Sequence, residues 1–231
     1  MNRELGEYHD QIRRNKKEGK SRCENCPLQE DNGPALIECA DDYPEVVVVS
    51  ESPAGRPEAT RDIKHWTRCV LMSCYEKSSG DLSSARDMGY FLGRLTRGKV
   101  YLAEDPEKSH NLYWTHTMKC FIQDKDIGVG KAKEERWDAF RSGIESCAEY
   151  LDLEISLTHA KDRANPKLVI AIGHEAYNRL AKIVPKEKLC WVYHPHARKT
   201  KIEKERRLDC LRGKIKELGL KDLLLGCVDS T

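Results

Sequence analysis

The sequence predicts an α/β fold with three layers, α/β/α, around a central four-stranded, mostly parallel sheet. Four short segments rich in β-branched residues are bounded by residues that break regular structure, as buried strands are. Helical patterns alternate with these segments along the chain. Strand–helix alternation is typical of βαβ units, in which helices cover both faces of a parallel sheet.

The elements follow one another in a regular order. The expected strands are Val46–Ser50, Leu112–Thr117, Leu168–Ile172 and Leu189–Tyr193. The expected helices are Leu82–Thr96, Lys133–His159, Glu175–Ile183 and Ile202–Leu218. The last helix repeats apolar residues at helical spacing, so one of its faces should pack; these are Leu208, Leu211, Ile215 and Leu218. Residues 51–81 form a long irregular connection, of a length typical of functional or disordered loops.

Length and composition favour one soluble domain. The 231 residues are 39% hydrophobic and 34% charged, and no apolar run approaches the roughly 20 residues that cross a bilayer. We expect a monomeric domain over 1–231, with 1–20 as an N-terminal helix or tail, 22–222 as the core and 223–231 as a tail. The first residues lack a signal-like apolar stretch, so a cytoplasmic protein without a membrane partner is expected. Its ten cysteines would then stay reduced.

The charge is small overall but uneven along the chain. The net charge is +2, yet residues 186–222 carry twelve Lys and Arg against six Asp and Glu. Such a stretch is able to follow phosphates. A solvated helix face with mixed charges is the alternative, and the sequence leaves both open.

Polar residues follow all four expected strands. They are Glu51 to Gly55, then His116 with Lys119 and Cys120, then Gly173 and His174, and finally His194 to His196. Ligands bind at the carboxyl ends of the strands in a parallel α/β sheet. The four groups should therefore meet in one cleft.

The cysteines suggest a metal site. Cys23 and Cys26 form a two-thiolate clip, Cys120 follows a strand and Cys147 lies on a helix after a polar loop. Cys190 and Cys210 are expected to be small buried apolar residues instead. Spacing alone does not separate zinc from an iron–sulfur cluster, since both accept four thiolates.

From Cys23 to about Cys210 the chain resembles the iron–sulfur branch (families 4 and 5) of the uracil-DNA glycosylase superfamily. Five motifs carry the resemblance in order: Cys23-x-x-Cys26, Ser50-Glu51-Ser52-Pro53-Ala54-Gly55, Thr115-His116-Thr117-Met118-Lys119-Cys120, Gly173-His174-Glu175-Ala176 and His194-Pro195-His196, with Cys147 between the third and fourth. The resemblance implies a [4Fe–4S] cluster on Cys23, Cys26, Cys120 and Cys147, with a mainly structural role.

The resemblance also implies an enzyme that flips a base out of DNA and hydrolyses its N-glycosidic bond. Glu51 would orient water or stabilise charge near C1′, and His194 would donate a hydrogen bond to the departing base. The base would be held by Ser52, Pro53, Ala54, Gly55 and His116, with Trp66 as an aromatic platform. DNA contacts would come from Gly173, His174, His196, Arg198, Lys199 and Lys201.

The base-reading motifs depart from the family pattern. His116 stands where the family has an Asn that pairs with N3–H and O4 of uracil, and an imidazole does not offer donor and acceptor on one face. Ser50 and Ala54 replace glycines, and the Phe-containing segment after Glu58 is missing. We therefore expect a modified base, such as a 5-substituted or glucosylated hydroxymethylcytosine in phage DNA, which would make this an antiviral enzyme. The alternatives are a conventional uracil-DNA glycosylase of base-excision repair, a non-catalytic iron–sulfur DNA-binding module and a zinc-stabilised binding protein.

Overall fold

The computed structural model describes residues 3–20, 23–24, 43–51, 112–120, 133–159, 166–194 and 197–220. In chain order, the elements are α1 (Arg3–Glu18), β1 (Val46–Ser50), β2 (Leu112–His116), α2 (Lys133–Ser146), α3 (Ala148–Leu157), β3 (Leu168–Ile172), α4 (His174–Leu180), β4 (Leu189–Val192) and α5 (Lys201–Glu217). The four strands form one sheet in the order β2-β1-β3-β4, and every pair is parallel. The predicted α/β class is confirmed.

β1 is a central strand, and its sequence explains why. Val46 pairs with Leu112 on one side and Leu168 on the other, and Ser50 pairs in the same way with His116 and Ile172. All five residues of β1 are buried. A run of β-branched residues without alternation is what a parallel strand covered on both faces requires.

Alternate residues of the strands build the two faces of the sheet. Toward the first face, Val47, Val49, Val169 and Ala171 form one apolar cluster with side chains of α1, α3 and α4. Residues between them in sequence point to the second face and are equally buried, among them Val46, Val48, Ile170 and Ile172. Both faces are therefore covered, as the predicted layering requires. α5 packs against β4.

Several boundaries differ from the expectation. The predicted helix Lys133–His159 is two helices, divided at Cys147, whose φ of −89° and ψ of 0° lie at the edge of the right-handed helical region. β2 and β4 each end one residue early, and α4 ends at Leu180. At α5 the hydroxyl of Thr200 accepts from the N–H of Glu203, so the helix begins one residue before the predicted start. The predicted helix Leu82–Thr96 lies outside the described residues.

The N-terminal segment is a helix rather than a tail. α1 buries Leu5, Tyr8, His9 and Ile12 along one face and packs against α3. Apolar residues at this spacing produce such a face even in a helix as charged as this one. Over the described ranges, no helix has both the length and the apolar composition needed to cross a membrane.

Candidate active site

Glu51 directly follows the central strand, and its backbone is fixed by the turn that follows β2. The carbonyl of Glu51 accepts the N–H of Met118 at 3.0 Å and also the hydroxyl of Thr117. One residue earlier, the N–H of Thr117 donates to the carbonyl of Ser50 at 2.8 Å. The ends of β1 and β2 are thus joined by hydrogen bonds beyond the last paired residues.

The side chain of Glu51 is held by a third strand end. Its Oε1 atom accepts the N–H of Glu175 at 3.2 Å, and the N–H of His174 also bonds to this carboxylate. Gly173 makes the approach possible, because a Cβ atom there would lie 2.1 Å from Glu51 Oε1. Gly173 has φ 98° and ψ 165°, a backbone conformation that is essentially restricted to glycine. Two of the four predicted polar groups, the one that begins at Glu51 and the one at Gly173 and His174, therefore meet at the Glu51 carboxylate. The turn after β2, which carries a third group, donates hydrogen bonds to the backbone carbonyl of Glu51.

The position of Glu51 has a chemical consequence. Burial raises the pKa of its carboxyl group, and the backbone N–H groups of Glu175 and His174 only partly oppose that effect. A carboxylate with a raised pKa takes up a proton more readily than an ordinary surface Glu. This is the property that a general base or a water-orienting group needs.

The same contacts bear on the DNA contacts predicted for Gly173 and His174. The N–H of Gly173 donates to the carbonyl of Val192 at 2.9 Å, and those of His174 and Glu175 bond to Glu51. These amides are engaged within the protein. DNA contact by this segment stays a prediction.

His116 lies beside Ser50 on the second face of the sheet. The residue is 2% exposed, and its Nδ1 lies 2.5 Å from the hydroxyl oxygen of Ser50. The indole N–H of Trp114 donates to the same oxygen at 3.4 Å. Burial, helped by the nearby positive charge of Lys119, lowers the pKa of His116 to about 3. His116 is therefore a neutral imidazole over the physiological pH range.

A charged cluster lies on the opposite side of β2, toward the first face of the sheet. The carboxylate of Glu154 accepts from His9 Nε2 at 2.9 Å and from the hydroxyl of Tyr113 at 3.0 Å through Oε1. Its Oε2 atom accepts from the hydroxyl of Thr115 at 2.8 Å and from the ammonium of Lys119. The cluster therefore connects α1, β2 and α3.

Lys119 is the buried cation of this cluster and is 1% exposed. Besides Glu154, its ammonium donates to the hydroxyl of Thr115 at 2.8 Å and to the carbonyl of His116 at 2.5 Å. An ammonium has three N–H donors, and three acceptors meet them. A buried charge is tolerated when it is paired and fully hydrogen-bonded, as here. Lys119 thereby fixes the chain between His116 and Cys120.

Three of the four predicted cluster ligands lie around one apolar cluster. Cys120 and Cys147 are buried in it, and the half-buried Cys23 packs against it. The backbone N–H of Lys119 donates to Cys147 Sγ at 3.5 Å, the kind of contact that supports an iron-bound thiolate. Cys26 lies outside the described residues. Among the residues that are described, no three His, Cys, Asp or Glu side chains come together as for a single metal ion.

The two remaining cysteines of the described ranges differ from the expectation. Cys210 is exposed on α5, so its predicted burial is wrong. It lies beside Leu211 but on the solvent side of the helix, because consecutive helical residues point in different directions. Cys190 is half-buried in β4, and burial raises the pKa of its thiol.

A group of aromatic and cationic side chains lies at the end of β4, which we call the aromatic–basic group: Tyr177, Trp191, Tyr193, His174, Lys199 and Arg207. The rings of Trp191 and Tyr193 meet edge to face with centroids 4.9 Å apart. Arg207 lies over the Trp191 ring at 4.1 Å, and the Lys199 ammonium is 5.7 Å from the Tyr193 centroid. Three predicted DNA-contacting residues are exposed here, namely Arg198, Lys199 and Lys201.

Other predicted site residues are only partly accounted for. His194 is half-buried, and its carbonyl accepts the N–H of Ala197 at 2.9 Å. The predicted base-binding and DNA-binding residues that lie outside the described residues are Ser52, Pro53, Ala54, Gly55, Trp66 and His196.

Sequence reasoning missed Glu154 and His9. In the aromatic–basic group it predicted His174 and Lys199 but missed Tyr177, Trp191, Tyr193 and Arg207. Glu154 had a detectable signal, since it stands beside Ile155 and three residues after Leu151, on the apolar face of its helix.

Neither the family models nor the curated proteins give a match to this chain.

Proposed function

We propose that the protein is a DNA glycosylase that hydrolyses the N-glycosidic bond of a flipped base and leaves an abasic site. The observation that carries the proposal is Glu51, a carboxylate with a raised pKa at the carboxyl end of the central strand. Backbone groups of two neighbouring segments hold it in place. Such a preorganised carboxylate suits a reaction in which positive charge develops on a sugar.

Cleavage of the bond also places negative charge on the departing base. Glu51 would orient the attacking water or stabilise the sugar cation at C1′. His194, two residues after β4, would donate to the base. Both residues follow strands that end at the same edge of the sheet, where parallel α/β proteins bind their ligands.

Contact with DNA is proposed for the aromatic–basic group and the exposed cations beside it. Phosphates attract Lys and Arg, and a base left unpaired by flipping stacks on aromatic rings or on a guanidinium. Arg198, Lys199 and Lys201 are exposed in the segment that follows β4, and the Lys199 ammonium lies 5.7 Å from the ring centroid of half-buried Tyr193. The combination of stacking surfaces and cations favours a nucleic-acid strand over an acidic protein.

A [4Fe–4S] cluster is proposed on Cys23, Cys26, Cys120 and Cys147. When bound, it would join the N-terminal region to the turn after β2 and to the start of α3, a structural role. The three described thiols fit this role because they share one apolar cluster. Optical absorption of anaerobically purified protein tests it: a brown protein with bound iron is expected, and a colourless protein with stoichiometric zinc would refute the cluster.

A modified base is proposed as the substrate, with 5-substituted or glucosylated hydroxymethylcytosine of phage DNA first. The support is His116, a neutral imidazole at the position where a uracil-specific enzyme would have an amide. A base-contacting side chain with different hydrogen-bonding groups changes which base is selected more than it changes how the N-glycosidic bond is hydrolysed.

The test is strand cleavage by alkali after incubation with matched duplexes. Each duplex carries one uracil, hypoxanthine, hydroxymethylcytosine or glucosylated hydroxymethylcytosine. Glu51→Gln should lower kcat by about 100- to 10,000-fold while DNA binding is kept. The rate of the unmodified enzyme should fall as the pH drops through the pKa of Glu51, because Glu51 must be ionised to act. This fall should occur at a higher pH than for an ordinary Glu, because the pKa of Glu51 is raised.

One control and two alternative outcomes make the result decisive. Glu7→Gln changes an exposed carboxylate of α1, so activity should be unchanged. Cleavage of uracil alone would establish a conventional uracil-DNA glycosylase. DNA binding without cleavage of any duplex would establish a non-catalytic module.

A further inference from the structure

Arg207 differs from the other half-buried arginines of the described residues, because it has no carboxylate partner among them. Arg179 and Arg212, which are half-buried as well, form ion pairs with carboxylates. The guanidinium carbon of Arg207 instead lies 4.1 Å from the centroid of the Trp191 ring. An aromatic face attracts a guanidinium without neutralising its charge or using its five N–H donors as a carboxylate does. Arg207 therefore keeps its charge and its donors for another anion.

The start of α5 explains why Arg207 has no carboxylate. Glu203 stands four residues earlier, the position from which an acidic side chain usually pairs with a cation of the same helix. Its Oε2 atom accepts the N–H of Thr200 at 2.9 Å and the Thr200 hydroxyl at 2.8 Å. Its Oε1 atom lies 3.7 Å from the ammonium of Lys199. The contacts that begin the helix therefore use the carboxylate that Arg207 would otherwise meet.

The surroundings of Arg207 favour an anion with repeated charges. Three exposed cations lie in the segment from the end of β4 to the start of α5, namely Arg198, Lys199 and Lys201. The Lys199 ammonium lies 5.7 Å from the Tyr193 centroid, and the Tyr193 ring meets the Trp191 ring edge to face. Cations connected through aromatic rings suit a nucleic-acid strand, because its phosphates repeat and its bases stack.

His174 connects these side chains to Glu51. The backbone N–H of His174 bonds to the Glu51 carboxylate, and its imidazole meets the Trp191 ring edge to face with centroids 6.0 Å apart. One residue therefore contacts both the carboxylate that we propose for catalysis and the ring that holds Arg207. A DNA strand that reaches Glu51 would pass close to Arg207.

We propose that Arg207, positioned on the Trp191 ring, binds one backbone phosphate of the DNA at the Glu51 site. This inference rests on the proposed function, since it takes DNA to occupy that site. A guanidinium presents its donors as a planar fork that matches two oxygens of a phosphate. Contact with the ring limits the orientations of that fork before DNA arrives, which lowers the entropy lost on binding. Arg207 is the phosphate-binding residue, and Trp191 is its positioning residue.

The first arm of the experiment measures DNA binding by the full-length protein over a series of KCl concentrations. The probe is a fluorescent duplex with one tetrahydrofuran abasic site, a stable form of the proposed product, and anisotropy gives Kd. Arg207→Gln should weaken binding by about 10- to 100-fold, the usual effect of losing a hydrogen bond to a charged group. It should also reduce the slope of log Kd against log salt by about 1. Arg207→Lys keeps the charge, so the slope should stay while part of the affinity is lost.

Three further variants separate the phosphate contact from general effects of charge and packing. Arg212→Gln removes the same charge from the same helix, but its guanidinium already binds Glu205 and Asp209, so the slope should be unchanged. Trp191→Leu removes the ring and leaves the charge of Arg207, so affinity should fall while the slope stays. Trp191→Phe keeps an aromatic face and should restore most of the affinity. Circular dichroism at the assay temperature verifies that each variant is folded.

The second arm identifies the phosphate. A neutral methylphosphonate replaces one phosphate at a time on either side of the abasic site. At one position the replacement should weaken binding of the wild type by about tenfold or more, because a charge-assisted contact is lost. The same replacement should leave the affinity of Arg207→Gln unchanged, because that variant has no guanidinium to lose it.

The outcomes distinguish this inference from the proposed function. An unchanged affinity and slope in Arg207→Gln would overturn the inference and leave Arg207 as packing for the Trp191 ring. Weaker binding without a coupled phosphate would overturn it too, since the guanidinium would then meet a base, and so would a wild type that does not bind the duplex. Cleavage of base-containing duplexes is measured separately. A coupled phosphate without cleavage of any duplex would refute the glycosylase and keep the assignment of Arg207.

Discussion

Two consecutive residues of β2 enter opposite environments. Thr115 points to the first face of the sheet, where Glu154 and Lys119 form a buried ion pair with every donor of the ammonium satisfied. His116 points to the second face, where it forms an uncharged hydrogen-bonded cluster with Ser50 and Trp114. One backbone segment therefore supports a fully paired ionic cluster on one side and a neutral polar cluster on the other.

The difference shows how one cation acts on two sites. Burial alone would raise the pKa of Glu154, but the charge of Lys119 and the bond from His9 lower it to about 2. Burial lowers the pKa of His116, and the same Lys119 lowers it further, to about 3. Lys119 thus stabilises the anion on one face and opposes a second cation on the other. A buried site carries charge only where a partner compensates it.

Breaking the ion pair should have the largest effect on stability. Lys119→Met leaves the Glu154 carboxylate buried without its cation, which should lower the free energy of unfolding by about 3–5 kcal/mol. The double change Lys119→Met with Glu154→Leu should cost less than the two single changes combined, because no unpaired charge remains. Urea unfolding monitored by circular dichroism measures all three proteins.

Glu7→Gln is the matched control for this comparison. Glu7 pairs with Arg3 at 2.8 Å, but both side chains are exposed. Its loss should change the free energy of unfolding by less than about 1 kcal/mol. Equal effects of the buried and exposed changes would contradict the role assigned to the cluster.

A change at Gly173 tests whether backbone geometry matters as much as charge at a neighbouring strand end. Gly173→Ala forces a side chain into a glycine-only conformation and should destabilise the fold by about 1–3 kcal/mol. The new Cβ would also collide with the Glu51 carboxylate, so the variant should lose the proposed glycosylase activity beyond what its reduced stability explains. Kinetics at a temperature where the variant is fully folded separate the two effects. Gly213→Ala is the control, since a Cβ there meets no atom within 4 Å.

The smallest predicted effect is on the pH dependence of stability. It should distinguish the uncharged cluster around His116 from the charged cluster around Glu154. The pKa of His116 is lower in the folded protein than in the unfolded chain, so only the unfolded chain takes up a proton as the pH falls below about 6.5. Stability should therefore fall by about 1 kcal/mol between pH 7.5 and 5.5 through His116 alone. His116→Gln should lose that part of the pH dependence in urea unfolding at the two pH values.

Glu154 should not contribute to the pH dependence of stability between pH 7.5 and 5.5. Its pKa is also lowered on folding, but a lowered carboxyl pKa gives stability that is present above about 4.5 and is lost as the pH falls toward 2. A pH dependence between 7.5 and 5.5 that is unchanged in His116→Gln would assign the effect to another residue. The neutral state of His116 in the folded protein would then be in question.

Much of the architecture followed from local pattern. The valine run of β1 and the apolar run of β3 predicted their strands residue for residue, because a central parallel strand is apolar on both faces. No comparable sequence pattern predicted the division of the long helix at Cys147. The helical hydrogen bonds continue through that residue, so the division is a small local change of the backbone. The placement of Glu51 against Gly173 was foreseen only as convergence at one edge of the sheet.

The sequence by itself determined the order of strands and helices, the parallel sheet and the polar groups that follow each strand, because these depend on periodicity and on neighbours along the chain. Only the tertiary structure decided that Glu154 is ionised while His116 is neutral. Charge state depends on burial and on partners distant in sequence, as with His9 and Glu154, and no local pattern encodes those contacts.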